Sequence, residues 1–229
     1  MKNRAIVLLS GGLDSTTCLG HAIKSGFDPV CLSFSYGQLH TGEIQAAKEI
    51  AAFFNVKDHI IIELPKAVFG SSALTGNGVI PMDREDIDEK GVPSTYVPAR
   101  NTIFLSYALA YCESLDIRDI FIGVSSVDYS GYPDCRPQFI EAFENLANNA
   151  TKIALEGGKI NIHAPLLHLT KGKTIKLGIS CGVDYSLTHT CYSPDENMLA
   201  CGRCDSCVLR RKGFEEAGVA DPTKYQEKK

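Results

Sequence analysis

The sequence lacks any run of the ~20 apolar residues that a membrane-spanning helix requires. Its first apolar run, 5–9, is too short for the core of a signal peptide, and no cleavage-type tail follows it. Both absences predict a cytoplasmic protein. Basic excess is missing as well: 23 Lys+Arg stand against 27 Asp+Glu, a net charge of −4. Affinity carried mainly by nucleic-acid phosphates needs a basic face, so no stable nucleic-acid partner is expected, although a local basic groove stays compatible with the balance. There are no internal repeats and no low-complexity tracts, which excludes collagenous and coiled-coil architectures. The two commonest nucleotide fingerprints, GxxxxGK[ST] and GxGxxG, are absent too.

What is present is a regular alternation of strands and helices. The 229 residues suffice for one well-filled domain, or one domain with a small appendage. Strands are expected at 5–9, 29–34, 59–64, 119–124 and 160–163. Helices are expected at 16–24, 42–54, 101–115 and 137–155, with a further one capped by Thr170 and running to about 177. Such βαβ alternation predicts an α/β fold: a doubly wound, mostly parallel sheet of about five strands with helices on both faces. Between 65 and 96 the pattern fails in a Gly/Pro-rich stretch, read as a long loop or flap that closes over a ligand. From about 183 the chain is short of core residues and rich in Cys, with a last helix at 205–216. The expected organisation is a domain over 1–182 and a small helical, metal-binding region over 183–229.

Ser10-Gly11-Gly12-Leu13-Asp14-Ser15 lies between the first strand and the first helix. Consecutive glycines let backbone approach a ligand closely, and the first-turn N–H groups of a helix point outward, unpaired. The helix dipole favours an anion there. Asp14 is odd in such a loop, because a carboxylate repels phosphate unless Mg²⁺ lies between them or it braces the loop.

Nine cysteines in a reducing compartment need an account other than disulfides. Cys18, Cys31, Cys112, Cys135 and Cys181 are scattered; all but Cys135 read as small buried hydrophobes, and Cys135, between Asp134 and Arg136, is expected to be structural or to contact substrate. Cys191, Cys201, Cys204 and Cys207 gather in one segment. Four thiolates suit a closed structural Zn²⁺ site, one per chain. An iron–sulfur cluster remains open on the same spacing.

The Ser-Gly-Gly-Leu-Asp-Ser string resembles the SGGxDS pyrophosphate loop of the N-type ATP pyrophosphatase (PP-loop) superfamily. That resemblance implies an adenine nucleotide alpha hydrolase-like fold, and cleavage of ATP between its α and β phosphates with Mg²⁺ present. Ser33–His40 (Ser-Phe-Ser-Tyr-Gly-Gln-Leu-His), Val-Pro-Ala-Arg-Asn at 97–101 and Asp-Tyr-Ser-Gly-Tyr-Pro-Asp-Cys-Arg at 128–136, with the four cysteines, narrow it. Together they resemble the QueC family of 7-cyano-7-deazaguanine (preQ0) synthases, from residue 4 to about 213. The resemblance implies ATP-dependent conversion of 7-carboxy-7-deazaguanine and ammonia to the nitrile, in queuosine biosynthesis. The carboxylate would be adenylated and aminated, and the amide adenylated in turn. It also implies a homodimer.

Roles follow position by position. ATP is expected against Leu8, Leu9, Ser10, Gly11, Gly12, Leu13, Asp14, Ser15, Thr16, Thr17 and Cys18, with adenine near Phe34. Catalytic work is expected of Asp14, Ser15, Arg100 and Lys171. Arg100 would neutralise a carboxylate or acyl phosphate, the alternative being an ordinary surface pair. Lys171 would reach the α-phosphate, the alternative being a solvated first-turn lysine. Substrate contacts are expected from Tyr36, Gln38, His40, Asn101, Asp128, Tyr129, Tyr132, Asp134 and Arg136. A guanine-like edge asks for a carboxylate, Asp128 or Asp134, and a stacking ring, Tyr129 or Tyr132. Two other readings compete: a PP-loop tRNA thiolase or lysidine-type enzyme, which would carry a basic extension, and a non-catalytic nucleotide-binding zinc module.

Overall fold

The computed structural model describes residues 3–38, 42–70, 72–76, 78–84, 91–125 and 131–227. Strands β1 (Arg4–Leu8), β2 (Asp28–Ser35), β3 (Asp58–Glu63), β4 (Asp119–Phe121) and β5 (Asn161–His163) form one sheet in the order β3-β2-β1-β4-β5. Every pairing is parallel. Around it lie α1 (Leu13–Lys24), α2 (Gly42–Phe53), α3 (Arg100–Leu115), α4 (Pro137–Ala150), α5 (Lys152–Leu155), α6 (Lys171–Ser180) and α7 (Asp205–Ala217). The expected doubly wound α/β architecture is present.

After Arg4, β1 is apolar because both of its faces are covered. Ile6 and Leu8 enter a core shared with Leu105 and Ala108 of α3 and Ile140 and Phe143 of α4. Ala5 and Val7 enter the opposite core, with Leu19 and Ala22 of α1 and Ala47 and Ile50 of α2. The strand order reverses between β1 and β4, since the chain leaving β3 crosses to the far side of β1. Ligands of such sheets bind outside the carboxyl ends of the strands at that reversal.

Three expectations need correction. The single helix over 137–155 is two: Thr151 adopts φ −111°, ψ 150° and its hydroxyl accepts the Ala154 N–H. Glu113 on α3 also accepts the N–H groups of Lys152 and Ile153, at 2.7 and 3.3 Å, a tertiary cap that no local window displays. β4 stops at Phe121, short of 124. There the chain turns to pass the first helix, and a Cβ on Gly123 would lie 2.9 Å from the Asp14 carbonyl carbon and oxygen. Finally α1 begins at Leu13, inside the glycine loop, rather than at 16.

The described part of 65–96 holds only short 3₁₀ turns, Lys66–Phe69 and Ala73–Thr75, yet it is firmly docked. Phe69 is buried, and Met82 forms an antiparallel bridge with Cys204. Arg84 pairs with the buried Asp205, and Asp83 with Arg203. At the other end of the cysteine region, α7 lies across α6, where Phe214 and Ala217 meet Leu13, Ile175 and Tyr185. Gly213 permits the close crossing, for a Cβ there would lie 2.3 Å from Lys171 Cγ. Among the described residues no helix is long and apolar enough to cross a membrane.

Candidate active site

A cleft of about 290 Å³ opens at the carboxyl ends of β1, β2 and β4. The glycine loop forms its floor. Ser15 Oγ accepts the Ser10 N–H at 3.1 Å, lies 3.0 Å from Ser10 Oγ and donates to the Gly12 carbonyl at 3.1 Å. Gly12 sits at the N-cap of α1 and supplies no side-chain cap. The loop is thus tied by its two serines while the helix start stays open to an anion. Gly11 has φ +86°, and a Cβ there would sit 2.3 Å from the Glu43 carbonyl oxygen. We expect Gly11→Ala to cost about 2–4 kcal/mol through backbone strain and overpacking. Urea unfolding measures this, and a loss below about 0.5 kcal/mol would mean that the loop relaxes freely.

Asp14 is accounted for by its partner. Lys171 Nζ donates to both carboxylate oxygens, at 2.8 and 2.9 Å. The pair joins α1 to the first turn of α6 and faces the cleft. Thr170 caps α6 as expected, accepting the Lys173 N–H.

Arg100 forms the opposite wall. It follows Ala99, which holds a left-handed conformation (φ 54°) uncommon for a residue with a Cβ. Its Nη1 donates to Tyr36 Oη at 3.1 Å, and its guanidinium carbon lies 5.9 Å from the Tyr36 ring centre. Burial works against the guanidinium charge, but Tyr36, Tyr132 and Glu43 around it keep its pKa raised. Burial likewise pushes the Tyr36 hydroxyl up, against the pull of Arg100.

Of the residues singled out from sequence, Leu8, Leu9, Ser10, Gly12, Leu13, Asp14, Ser15, Phe34, Tyr36, Arg100, Asn101, Tyr132 and Lys171 line this one cleft. Others stand behind it. Thr16 Oγ1 donates to the Gly12 carbonyl, Thr17 Oγ1 bonds the Leu13 carbonyl and Tyr185 Oη, and Cys18 is wholly buried in the α1–α2 core. Gln38 folds back onto its own strand end, accepting the Tyr36 N–H and donating to the Phe34 carbonyl. Asp134 is buried and accepts the Asn101 N–H at 3.0 Å, while Asn101 Nδ2 donates to the Asp134 carbonyl. Its carboxylate is thereby turned to the start of α3. Arg136 is exposed at the N-cap of α4. His40, Asp128 and Tyr129 lie outside the described residues. Phe34 stacks on Phe104, with ring centres 4.0 Å apart, so one face of that ring is already used.

Sequence reasoning missed several lining residues: Glu43, Thr95, His189, Thr190, Tyr192 and Arg210. Thr188-His189-Thr190 immediately before Cys191 was the available signal, a polar run too short to be core. His189 N–H donates to the Gly11 carbonyl at 2.9 Å, which stitches that run to the glycine loop. Arg210, 2% exposed, donates to Asp221, Thr188 Oγ1 and the Tyr185 carbonyl.

Beside the cleft, the Sγ atoms of Cys191, Cys201, Cys204 and Cys207 all lie within 4.8 Å of one another. Backbone N–H groups of Ser193 and Cys201 point at Cys191 Sγ, and those of Arg203 and Cys204 at Cys201 Sγ. Hydrogen bonds from Cys191 and Cys207 hold the Cys204 thiol below its usual range. The donor set fits a single tetrahedral ion, whose thiolates at about 2.3 Å would stand about 3.8 Å apart.

The family model described as "Queuosine biosynthesis protein QueC" matches residues 4–218. The chain belongs to the QueC family. It is 59% identical to the 7-cyano-7-deazaguanine synthase of Solidesulfovibrio magneticus, with 97% of this chain and 96% of that protein covered. It is 56% identical to the 7-cyano-7-deazaguanine synthase of Myxococcus xanthus, with 99% of both covered. Among solved structures, a predicted subunit of tRNA methyltransferase from Methanocaldococcus jannaschii superposes with a TM-score of 0.50 at 17% identity, covering 99% of this chain and 94% of that one. At that identity the likeness concerns the fold alone. QueC membership therefore rests on sequence over nearly the whole chain.

Proposed function

We propose that this QueC chain converts 7-carboxy-7-deazaguanine to 7-cyano-7-deazaguanine with ATP and ammonia, in queuosine biosynthesis. The observation that carries the reading is one cleft that joins an open SGGxDS loop, the Asp14–Lys171 pair and Arg100 at the sheet's topological switch. The substrate carboxylate attacks the α-phosphorus of ATP, the α–β bridging bond breaks, and pyrophosphate leaves. Ammonia then displaces AMP to give the amide. A second ATP adenylates the amide oxygen, and loss of AMP with two N–H protons leaves the nitrile.

In this reading the N–H groups at the start of α1, with Ser10 and Ser15, receive the departing pyrophosphate. Charge builds on the bridging oxygen as it leaves, and preorganised donors there lower the barrier. Lys171, held in place by Asp14, neutralises the α-phosphate. Arg100 orients the substrate carboxylate. Mg²⁺ bound with ATP would add charge neutralisation on the phosphates. Asn101 and Tyr132 line the acceptor side, and Phe34 with Leu8 and Leu32 borders the adenine side. Asp134 serves as the brace of α3 rather than as the partner of a guanine-like edge.

Cys191, Cys201, Cys204 and Cys207 would hold one zinc ion as a closed structural site in the 183–229 region. Four ligands leave no position for water, so the metal ties the segment that carries His189, Thr190 and Tyr192 along the cleft. Sulfurs this close favour a single ion over the wider spread of a multi-iron cluster. A homodimer belongs to the same reading. Mass spectrometry of a reaction with 7-carboxy-7-deazaguanine, ATP, Mg²⁺ and ¹⁵N-ammonia tests it. The expected products are ¹⁵N-labelled nitrile, AMP and pyrophosphate. Folded, zinc-loaded protein that yields none of them would move the proposal to another acceptor, starting with tRNA.

A further inference from the structure

Glu43 opens α2 beside the glycine loop, and its side chain lines the cleft. Neither hydrogen bond nor ion pair engages its carboxylate among the described residues. Its own carbonyl packs against Gly11, so the position relative to the loop is fixed by backbone. A carboxylate set into a phosphate-binding cleft is unfavourable for ATP by itself, and among the described residues the other acids lining the cleft are engaged: Asp14 by Lys171 and Asp205 by Arg84. Arg100 acts on the Glu43 carboxylate through space only, and an acid whose oxygens accept no hydrogen bond from the described residues suits a small ligand that is cationic and rich in N–H donors. Of the reactants in the proposed reaction, ammonium alone has that chemistry.

We propose that Glu43 is the docking site and proton acceptor for the ammonium ion that supplies the nitrogen. The assignment rests on the reading given under Proposed function. Glu43–COO⁻ takes one proton from NH₄⁺, giving Glu43–COOH and NH₃. The nitrogen lone pair forms the C–N bond at the acyl carbon, and the C–O bond to AMP breaks with its electron pair. The second surplus N–H proton and the one held by Glu43 leave to solvent through the cleft mouth. Arg100 beside Glu43 is the group assigned to the substrate carboxylate, which places the acceptor next to the carbon that reacts. Burial pushes the Glu43 carboxyl up, against the opposing pull of Arg100. Tyr36 and Arg100 act on Glu43 directly, and the other titratable groups lining the cleft are Asp14, Tyr132, Cys135, Lys171, His189, Tyr192, Asp205 and Arg210.

The test separates adenylation from amination. Substrate-dependent exchange of labelled pyrophosphate into ATP needs no ammonia, so Glu43→Gln should lose far less of it than of amination. Amide and nitrile formation with ammonium at neutral pH should fall about 10²–10⁴-fold. Glu43→Asp should fall less, and alkaline solution, where free ammonia is abundant, should restore much of the Glu43→Gln loss. Unchanged amination in Glu43→Gln would overturn the assignment. So would loss of the exchange, or a raised Mg²⁺ requirement for it, since either puts Glu43 in the adenylation step. If Glu43→Gln fails to fold, Glu43→Asp decides alone: a raised ammonium KM with normal exchange supports the assignment, and an unchanged KM overturns it. A wild-type protein that makes no nitrile would instead defeat the underlying reading.

Discussion

Cys204→Ser is expected to abolish the zinc binding proposed for the four cysteines and to lower the melting temperature by about 8–16 °C. Structural zinc contributes about 10–16 kcal/mol to small metal-folded units. This chain has two sheet-face cores of its own, so the β-sheet half would outlast the metal. Loss of even about 4 kcal/mol at ~2–4 °C per kcal/mol gives the stated shift. Cys204 is fully buried, stands at the N-cap of α7 and bridges to Met82. Its replacement therefore loosens three things together: the start of α7, the run His189–Tyr192 on the cleft, and the docked part of 65–96. Elemental analysis and thermal melting of the same preparation check this. A variant with one zinc per chain and unchanged melting would remove the structural role. Wild-type stability with lost turnover would point to a reactive thiol instead.

The parts of the molecule legible in the sequence are those whose physics is local. A continuous apolar run means a strand covered on both faces, and Ile6 with Leu8 against Ala5 with Val7 is what that looks like in three dimensions. The Gly-Gly loop needs only its own chain to be recognised, and the four cysteines advertise themselves by spacing. What stayed hidden depends on partners far along the chain. Nothing near 151 says that Glu113 will cap a new helix there. Nothing near Asp134 says that its carboxylate will accept the Asn101 N–H at the start of α3. Glu43 was passed over because an acid in the first turn of a helix is ordinary; only its place in the cleft makes it unusual. Asp14 is the instructive case: its type looked wrong for the loop until Lys171, 157 residues later, supplied the counter-charge.

That pair supports the second large effect. Lys171→Ala should cut the rate of pyrophosphate release about 10²–10³-fold, the effect of removing one preorganised donor from a site of developing charge. As an ion pair alone it would matter far less. Lys171 is 15% and Asp14 33% exposed, and a partly solvated pair contributes about 1 kcal/mol or less to stability. The two roles separate in a double-mutant cycle. If Asp14 acts by holding Lys171, then Asp14→Ala costs less than Lys171→Ala, and the double variant is no worse than Lys171→Ala. Additive losses would mean that Asp14 acts on the phosphates independently, as an acid that brings its own Mg²⁺ would. Pyrophosphate release under saturating ATP and thermal melting, measured on all four proteins, give the comparison. Near-normal release from Lys171→Ala would reduce the pair to a brace between α1 and α6, and would leave the N–H groups of the glycine loop and Arg100 to stabilise the adenylation step alone.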